Sequence, residues 1–394
     1  MMLALPGEHD LPLLRLRERQ PQECRLTPDE VAYLLARHRA HLRLMPTPQP
    51  QVWQITALGV MGALTTPQRR IVIEPKIPLP TLLAPFAVLP GRGVSEVQAP
   101  LSGLDVLACQ LGELMVERAT VGLHRGYREF ERCGPYLTGR LDLAKQVRQS
   151  PGQRGQFHTR GDDFTLDGPC NQVPLALARQ LLASSLFHPR AVEALTRGLA
   201  SFAPVEAVSL TEAVLEAFRR EPIPPGYEAL TNLCLWLASA PGMAAPTPGA
   251  LLLSLERWFE RLVAQVVSAA CPGQVVWQPS FTPGEPGLLV RPDLAVVRAG
   301  RVRLVIDAKW KRRIPARQDL YQGIAYATLL GAPEVLLVLP GRGARQRYQF
   351  PQMRLEVCWL EVAGAAGLVQ RSMQRLARLV RARSCVDDPG DAPA

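Results

Sequence analysis

Apolar positions recur along this chain with two periods, and the alternation between them sets out its elements. Leu104, Leu107, Leu111 and Met115 stand three or four residues apart, which predicts a helix over 102–121. The same spacing predicts helices over 173–186, 189–202, 210–219, 251–270 and 318–330, and a basic one over 368–383. A shorter helix starts at Thr27-Pro28-Asp29-Glu30, where a capping hydroxyl precedes a first-turn proline and two acids. Short apolar runs closed by turn residues predict strands at 52–60, 71–73, 275–278, 334–339 and 354–359. Two more, at 288–297 and 302–306, fold back on each other around Ala299-Gly300. The stretches Gly122–Arg140 and Asp163–Asn171 show neither period and read as polar, loop-like segments.

This order predicts a mixed α/β chain. A β-rich N-terminal module spans 1–100, a mainly helical middle region 101–245, and a second α/β domain 250–383, with an acidic tail at 384–394. The Pro/Gly-rich tract 241–249 is the expected linker. Proline at 241, 246 and 248 interrupts the longest uncharged run, 229–255, so no membrane span is expected. The N-terminus has no basic region followed by a long apolar one, so no signal peptide is expected either. The hexapeptide VLPGRG occurs at 88–93 and 338–343, which reads as turn chemistry met twice rather than a repeat.

Charge sharpens the picture. The formal net charge is +10, with a sequence pI near 9.5, which suits an acidic partner. Between Arg291 and Phe350 there are 12 basic against 4 acidic residues, a surplus of +8 within 60 positions. A surplus gathered in one region is expected of a chain that grips a phosphate backbone. Of the four lysines, Lys76, Lys145, Lys309 and Lys311, two fall inside Asp307-Ala308-Lys309-Trp310-Lys311, in a chain that otherwise uses 41 arginines. A compact ammonium fits beside a phosphate where a guanidinium fork does not. The eight cysteines are scattered with no CxxC pair, which predicts neither a zinc site nor a disulfide framework and favours a reducing cytoplasm. No lysine follows a glycine, so there is no phosphate-binding P-loop and no nucleotide is expected to bind this chain alone. All six histidines precede the last domain, which leaves no credible Ser-His-Asp arrangement there.

The chemistry gathers on the two strands around Gly300. Asp293 and Asp307 each lie seven residues from it, so a hairpin turning there sets them roughly opposite one another. Lys309, two residues beyond Asp307, points to the same face. Acids are rare on apolar strands unless paired or bound to metal. Asp293, Asp307 and the carbonyl of Ala308 form a candidate oxygen set for Mg²⁺ (Mn²⁺ is possible), which takes such ligands at about 2.0–2.1 Å. Lys309 would orient a water and stabilise the oxygens of a phosphodiester transition state. Glu260 and Glu256, one turn apart on the 251–270 helix, compete for an accessory ligand role. Gln322 and Tyr326 share a face of the following helix and could hydrogen-bond a phosphate or the lysine. The bland alternative is a salt-bridged hairpin, Asp307 with Lys309 or Arg303, and for Gln322 and Tyr326 a polar pair at the core edge.

Pro292-Asp293 and Asp307-Ala308-Lys309, between a preceding acidic helix and a following one, resemble the PD-(D/E)xK nuclease pattern, which implies a restriction-endonuclease-like domain. The likeness extends upstream. Glu74-Pro75-Lys76-Ile77, Gly122-Leu123, Tyr127, Leu137-Thr138-Gly139-Arg140, Asp167 with Asn171, and Leu255–Val263 together resemble the McrC family, over roughly residues 50–360. Asp319, Tyr321, Gln322 and Tyr326 belong to the same likeness. The resemblance implies a cytoplasmic, Mg²⁺-dependent endonuclease subunit of a modification-dependent restriction system. It implies double-stranded, modified DNA as substrate and a McrB-like AAA+ GTPase ring as partner, with the subunit stimulating GTP hydrolysis. Asp293, Asp307 and Lys309 take the catalytic roles, and Glu260 and Gln322 join them less directly. Arg125, Arg128, Arg132 and Arg140 become candidate contacts to the GTPase. The competing expectation is a non-cleaving activator of the ring whose nuclease site is vestigial.

Overall fold

The computed structural model describes residues 11–77, 101–148, 155–184, 186–240, 250–279, 290–311, 317–363 and 366–384. The expected linker at 241–249, the tail from 385 and the first VLPGRG lie outside them. The chain divides into two compact units, one made of 1–103 with 252–394 and the other of 104–251.

The first unit opens with β1 (Leu13–Arg17), β2 (Gln22–Arg25), α1 (Pro28–His38), β3 (Leu42–Pro46), β4 (Val52–Ala57), β5 (Val60–Thr65) and β6 (Arg70–Glu74). Thr27 caps α1 through a full capping box with Glu30. Glu30 is fully buried and reaches across to Arg69, whose Nη2 lies 3.0 Å from Oε2. Thr66 Oγ1 donates to the same carboxylate at 3.3 Å. Glu30→Gln should therefore lower stability by about 3 kcal/mol, because Arg69 loses its counter-charge. Urea denaturation with an unchanged slope and a lower midpoint would show it.

The second unit contains α2 (Gly103–Val121), β7 (Gly126–Gly134), β8 (Arg140–Leu141), α3 (Leu143–Val147), β9 (Phe157–Thr165), α4 (Pro169–Ala183), α5 (Pro189–Ser201), α6 (Glu212–Arg220) and α7 (Glu228–Leu237). Here the structure corrects the sequence. The loop-like stretch Gly122–Arg140 holds β7 and the start of β8, and β7 pairs antiparallel with β9 from Gly126↔Thr165 to Gly134↔Phe157. The two strands form a ribbon exposed over most of both faces, so no buried side imposes an alternation that a sequence could display. The run after Ala229, met as an interrupted apolar stretch, carries the buried helix α7.

The chain returns to the first unit through β10 (Ala250–Ser254) and α8 (Leu255–Ala270). Then follow β11 (Val275–Trp277), β12 (Leu294–Arg298), β13 (Arg301–Ala308), α9 (Arg317–Leu330), β14 (Glu334–Pro340), β15 (Gln346–Gln349), β16 (Arg354–Leu360) and α10 (Ala366–Ser384). The last six strands form one sheet in the order β11-β12-β13-β14-β16-β15. The pairs β13–β14 and β14–β16 are parallel, and the remaining pairs are antiparallel. Helix α9 makes the crossover from β13 to β14, and its Ala327 packs with Ala295, Val305, Val335, Leu337 and Leu355 of the sheet. Helices α8 and α10 pack on each other and on the sheet.

The hairpin β12–β13 turns at Ala299-Gly300, both with positive φ (49° and 74°), as a two-residue turn matched to strand twist requires. Such a turn alone pairs Val297 with Val302. A bulge at Arg303 then shifts the register, and Val296 faces Leu304 and Leu294 faces Ile306. One step further along that register, Asp293 stands opposite Asp307.

Candidate active site

The site lies where β13 leaves the sheet, at the carboxyl ends of the parallel strands. Backbone bonds fix the frame. Gln278 N–H donates to the Asp293 carbonyl at 2.8 Å, and Lys309 N–H donates to the Val338 carbonyl at 2.9 Å. Asp293 accepts the Ala308 N–H on Oδ2 at 2.8 Å, which ties one candidate acid to the strand that carries the other. Asp307 is buried, and its Oδ2 lies 2.8 Å from Nζ of Lys309, whose side chain is 18% exposed. The ion pair is close, yet that oxygen receives no hydrogen bond of good geometry.

Carboxyl groups crowd the patch. Burial raises the Asp293 carboxyl, the facing Asp307 and Glu260 raise it further, and it is pushed up to about 8. Burial also raises Asp307, against the pull of Lys309. For Lys309, burial works against the charged form, but Asp307 and Asp293 outweigh it and hold the ammonium above its usual range. Glu260 is half-buried and raised by burial and by Glu256, with Lys309 and Asp307 also in its field. Glu256 itself is exposed. Of the two competing glutamates, Glu260 is therefore the one that shares the field of the aspartates and the lysine.

Gln322 and Tyr326 bind each other rather than Lys309. Gln322 Nε2 donates to Tyr326 Oη at 2.7 Å, and Tyr326 Oη donates to the Arg291 carbonyl at 3.2 Å. The pair buttresses the strand entry two residues before Asp293, and Tyr326 still lies within the field of both aspartates. On the first turn of the same helix, Asp319 accepts Lys311 Nζ at 2.8 and 3.0 Å.

Among the described residues, no group of three His, Cys, Asp or Glu side chains is gathered at metal-binding range. A divalent cation still fits the donors present: Asp293 and Asp307 with the Ala308 carbonyl, and Glu260 at the rim. The supporting observation is the buried Asp307 Oδ2, which lacks a well-formed hydrogen bond and faces an Asp293 carboxyl whose pKa Asp307 raises. Because the folded-state pKa of Asp293 lies above its unfolded value of 3.8, the folded chain holds that proton more tightly. Its contribution is thus present at low pH and is lost as pH rises through about 8. The metal-free protein should melt lower at pH 9 than at pH 6, and millimolar Mg²⁺ should remove most of that difference. Differential scanning fluorimetry with and without Mg²⁺ checks both, and Asp293→Asn should flatten the metal-free profile.

The four candidate partner arginines are exposed on or beside the β7–β9 ribbon. Arg128 donates to the Asp167 carbonyl at 3.3 Å. Arg132 pairs with Asp163, and its guanidinium lies 4.3 Å from the Phe130 ring centroid. Arg125 and Arg140 flank the ribbon. Large apolar side chains stand exposed around them, Tyr127 at 79% and Tyr136 at 80%, with Leu137 and Phe164.

An antiparallel hairpin joined to parallel strands, with Asp293, Asp307 and Lys309 at the strand ends, defines a mixed α/β protein. The model of the McrBC 5-methylcytosine restriction system component matches residues 55–340, and the chain belongs to that family. Its fold is similar to a chain in the refined half-complex from the tetradecameric assembly of Thermococcus gammatolerans McrB AAA+ hexamers with bound McrC. That likeness has a TM-score of 0.51 at 16% identity and covers 93% of this chain and 100% of that one. A chain of the cryo-EM structure of the Thermococcus gammatolerans McrBC complex matches 66% of this chain and 88% of its own length, at 16% identity and a TM-score of 0.41. No curated protein matches the chain. Among the described residues, no helix is long and apolar enough to cross a membrane.

Proposed function

We propose that this chain is the McrC-type endonuclease subunit of a modification-dependent restriction complex. It hydrolyses phosphodiester bonds of double-stranded, modified DNA when docked on a McrB-like AAA+ GTPase ring, whose GTP hydrolysis it stimulates. The observation that carries the nuclease reading is the facing pair Asp293 and Asp307 with Lys309 held 2.8 Å from Asp307. Two facing buried carboxyls with a single ammonium in contact are a poor structural device, since a buried charge left unpaired costs several kcal/mol. They are a good receptor for a divalent cation and a phosphate.

In the reaction, the oxygen of a water molecule bonds to phosphorus as the opposite P–O ester bond breaks. The water's proton is lost to base or solvent, and the departing oxygen is protonated. Mg²⁺ held by Asp293, Asp307, the Ala308 carbonyl and Glu260 would supply charge neutralisation and polarise the phosphate. Lys309 orients the attacking water and donates to the phosphoryl oxygens as negative charge builds there. Gln322 and Tyr326 keep the Arg291–Asp293 strand entry in place. The exposed β7–β9 ribbon, with Arg125, Arg128, Arg132 and Arg140, is the docking element for the ring.

Metal binding tests the site directly. Titration with Mn²⁺, followed by calorimetry, should give saturable binding to the wild type and at least tenfold weaker binding to Asp293→Asn/Asp307→Asn. Equal binding by both proteins would remove the metal-site reading.

A further inference from the structure

The element Glu74-Pro75-Lys76-Ile77 has no part in the chemistry above, yet its lysine ends beside the turn that carries Lys309. Trp310 is fully buried, and its indole Nε1 donates to Oε1 of Glu18 at 2.9 Å. Nζ of Lys76 lies 3.5 Å from the same oxygen and 4.5 Å from the centroid of the Trp310 ring. Arg19 Nε approaches that oxygen at 3.4 Å from the solvent side. Trp310 also packs edge-on against Trp258, with centroids 5.8 Å apart at 85°, and against Phe259 at 5.5 Å. Phe259 immediately precedes Glu260.

One indole therefore joins three parts of the first unit. They are the strand end that bears Lys309, the helix that bears Glu260, and the N-terminal strands through Glu18 and Lys76. The strand end needs such a hold. Beyond the bond from Lys309 N–H to the Val338 carbonyl, the chain turns at once, with Lys311 N–H donating to the Lys309 carbonyl at 2.7 Å. Lys311 is fastened on one face by Asp319, and Trp310 is fastened on the other by Glu18. The cost is visible in Glu18, which is 1% exposed with Oε2 accepting no hydrogen bond. An apolar side chain of similar volume would hold a core more cheaply than a buried ion pair. What the charged, directional contacts add is a single orientation for the indole.

We propose that Glu18, Lys76 and Trp310 are positioning residues that set the Lys309 ammonium and the Glu260 helix in register for phosphodiester cleavage. The proposal rests on the nuclease reading of Asp293, Asp307 and Lys309. Lys76, with a side chain only 11% exposed, acts through Trp310 and does not bind DNA. Its loss slows the cutting step and leaves DNA affinity alone.

The test uses the assembled complex with its GTPase, GTP, Mg²⁺ and methylated plasmid. It compares wild type, Lys76→Met, Trp310→Phe, Glu18→Gln/Lys76→Met and Asp307→Ala. Lys76→Met and Trp310→Phe should each lower kcat for cutting at least tenfold, with KM for DNA and GTPase stimulation within twofold of wild type. The double variant, which removes both charges of the buried Glu18–Lys76 pair and leaves only the part-exposed Arg19 without its carboxylate, should cut no more slowly than Lys76→Met alone. Wild-type cutting by both single variants, while Asp307→Ala is inactive, overturns the proposal and spares the nuclease reading. A raised KM with a salt slope reduced by about one phosphate would make Lys76 a DNA ligand and also overturn it. Parallel loss of cutting, GTPase stimulation and melting temperature would make the contacts merely structural, again against the proposal. If the wild type does not cut at all, the nuclease reading fails and takes this inference with it.

Discussion

Lys309→Met should lower DNA cleavage about a thousandfold, near the upper end of what removing one preorganised donor to a transition-state oxygen costs. Its Nζ sits 2.8 Å from Asp307 in a largely buried pocket, where a charged donor acts in a low dielectric. Lys309→Arg should not rescue, because a planar fork cannot replace a compact ammonium between a carboxylate and a phosphate. Metal binding separates this role from that of a ligand. Lys309 holds Asp307 down against the upward push of burial, so its loss raises the Asp307 pKa further and adds to the negative field. Above the pKa of the aspartates, Mn²⁺ should then bind Lys309→Met at least as tightly as it binds wild type. Single-turnover cleavage paired with Mn²⁺ calorimetry checks both halves. Weak metal binding and slow cutting together would mean that Lys309 only holds the site open.

The second large effect concerns the partner. Replacing Arg125, Arg128, Arg132 and Arg140 together by alanine should reduce stimulation of the ring's GTP hydrolysis at least tenfold. All four are exposed, and such surface substitutions each cost about 0.5 kcal/mol or less, so the fold should survive. The ribbon gives no reason of its own for the aromatic and aliphatic surface around them. Tyr127 and Phe164 pack with ring centroids 5.1 Å apart, yet both stay exposed. An apolar patch interleaved with arginines is the usual composition of a protein interface. Arg132 is held by Asp163 and lies over Phe130, so single variants should rank it apart from Arg125, which stands in the loop before β7. Undiminished stimulation by the fourfold variant would move the contact elsewhere.

The parts of the molecule that were legible in its sequence are those with a buried face. The helices α2, α8 and α9 show their period because one side meets a core, and the hairpin around Gly300 shows itself through apolar strands and a turn with positive φ. Counting seven residues either way from Gly300 already pairs Asp293 with Asp307. The count succeeds for a reason that no pattern reveals: a bulge at Arg303 restores the pairing that the two-residue turn would have displaced by one. The β7–β9 ribbon was illegible because both its faces are largely exposed, and alternation needs a buried side. Helix α7 was hidden by the opposite condition, being apolar on nearly every side. The bond from Trp310 to Glu18 joins residues 292 positions apart, and nothing local to either announces it. Helical spacing sets Gln322 and Tyr326 on one face, but their bond to each other and to Arg291 depends on how that helix meets the strand entry.

The most direct test of the central claim is cleavage of methylated and unmethylated plasmid in Mg²⁺ by wild type and Asp307→Ala, each with and without the GTPase ring and GTP. The account predicts cutting of methylated plasmid by the wild type with ring and GTP, and none by Asp307→Ala, which still stimulates GTP hydrolysis. No cutting by either protein, with equal GTPase stimulation by both, would contradict it and leave the chain an activator with a relic nuclease site.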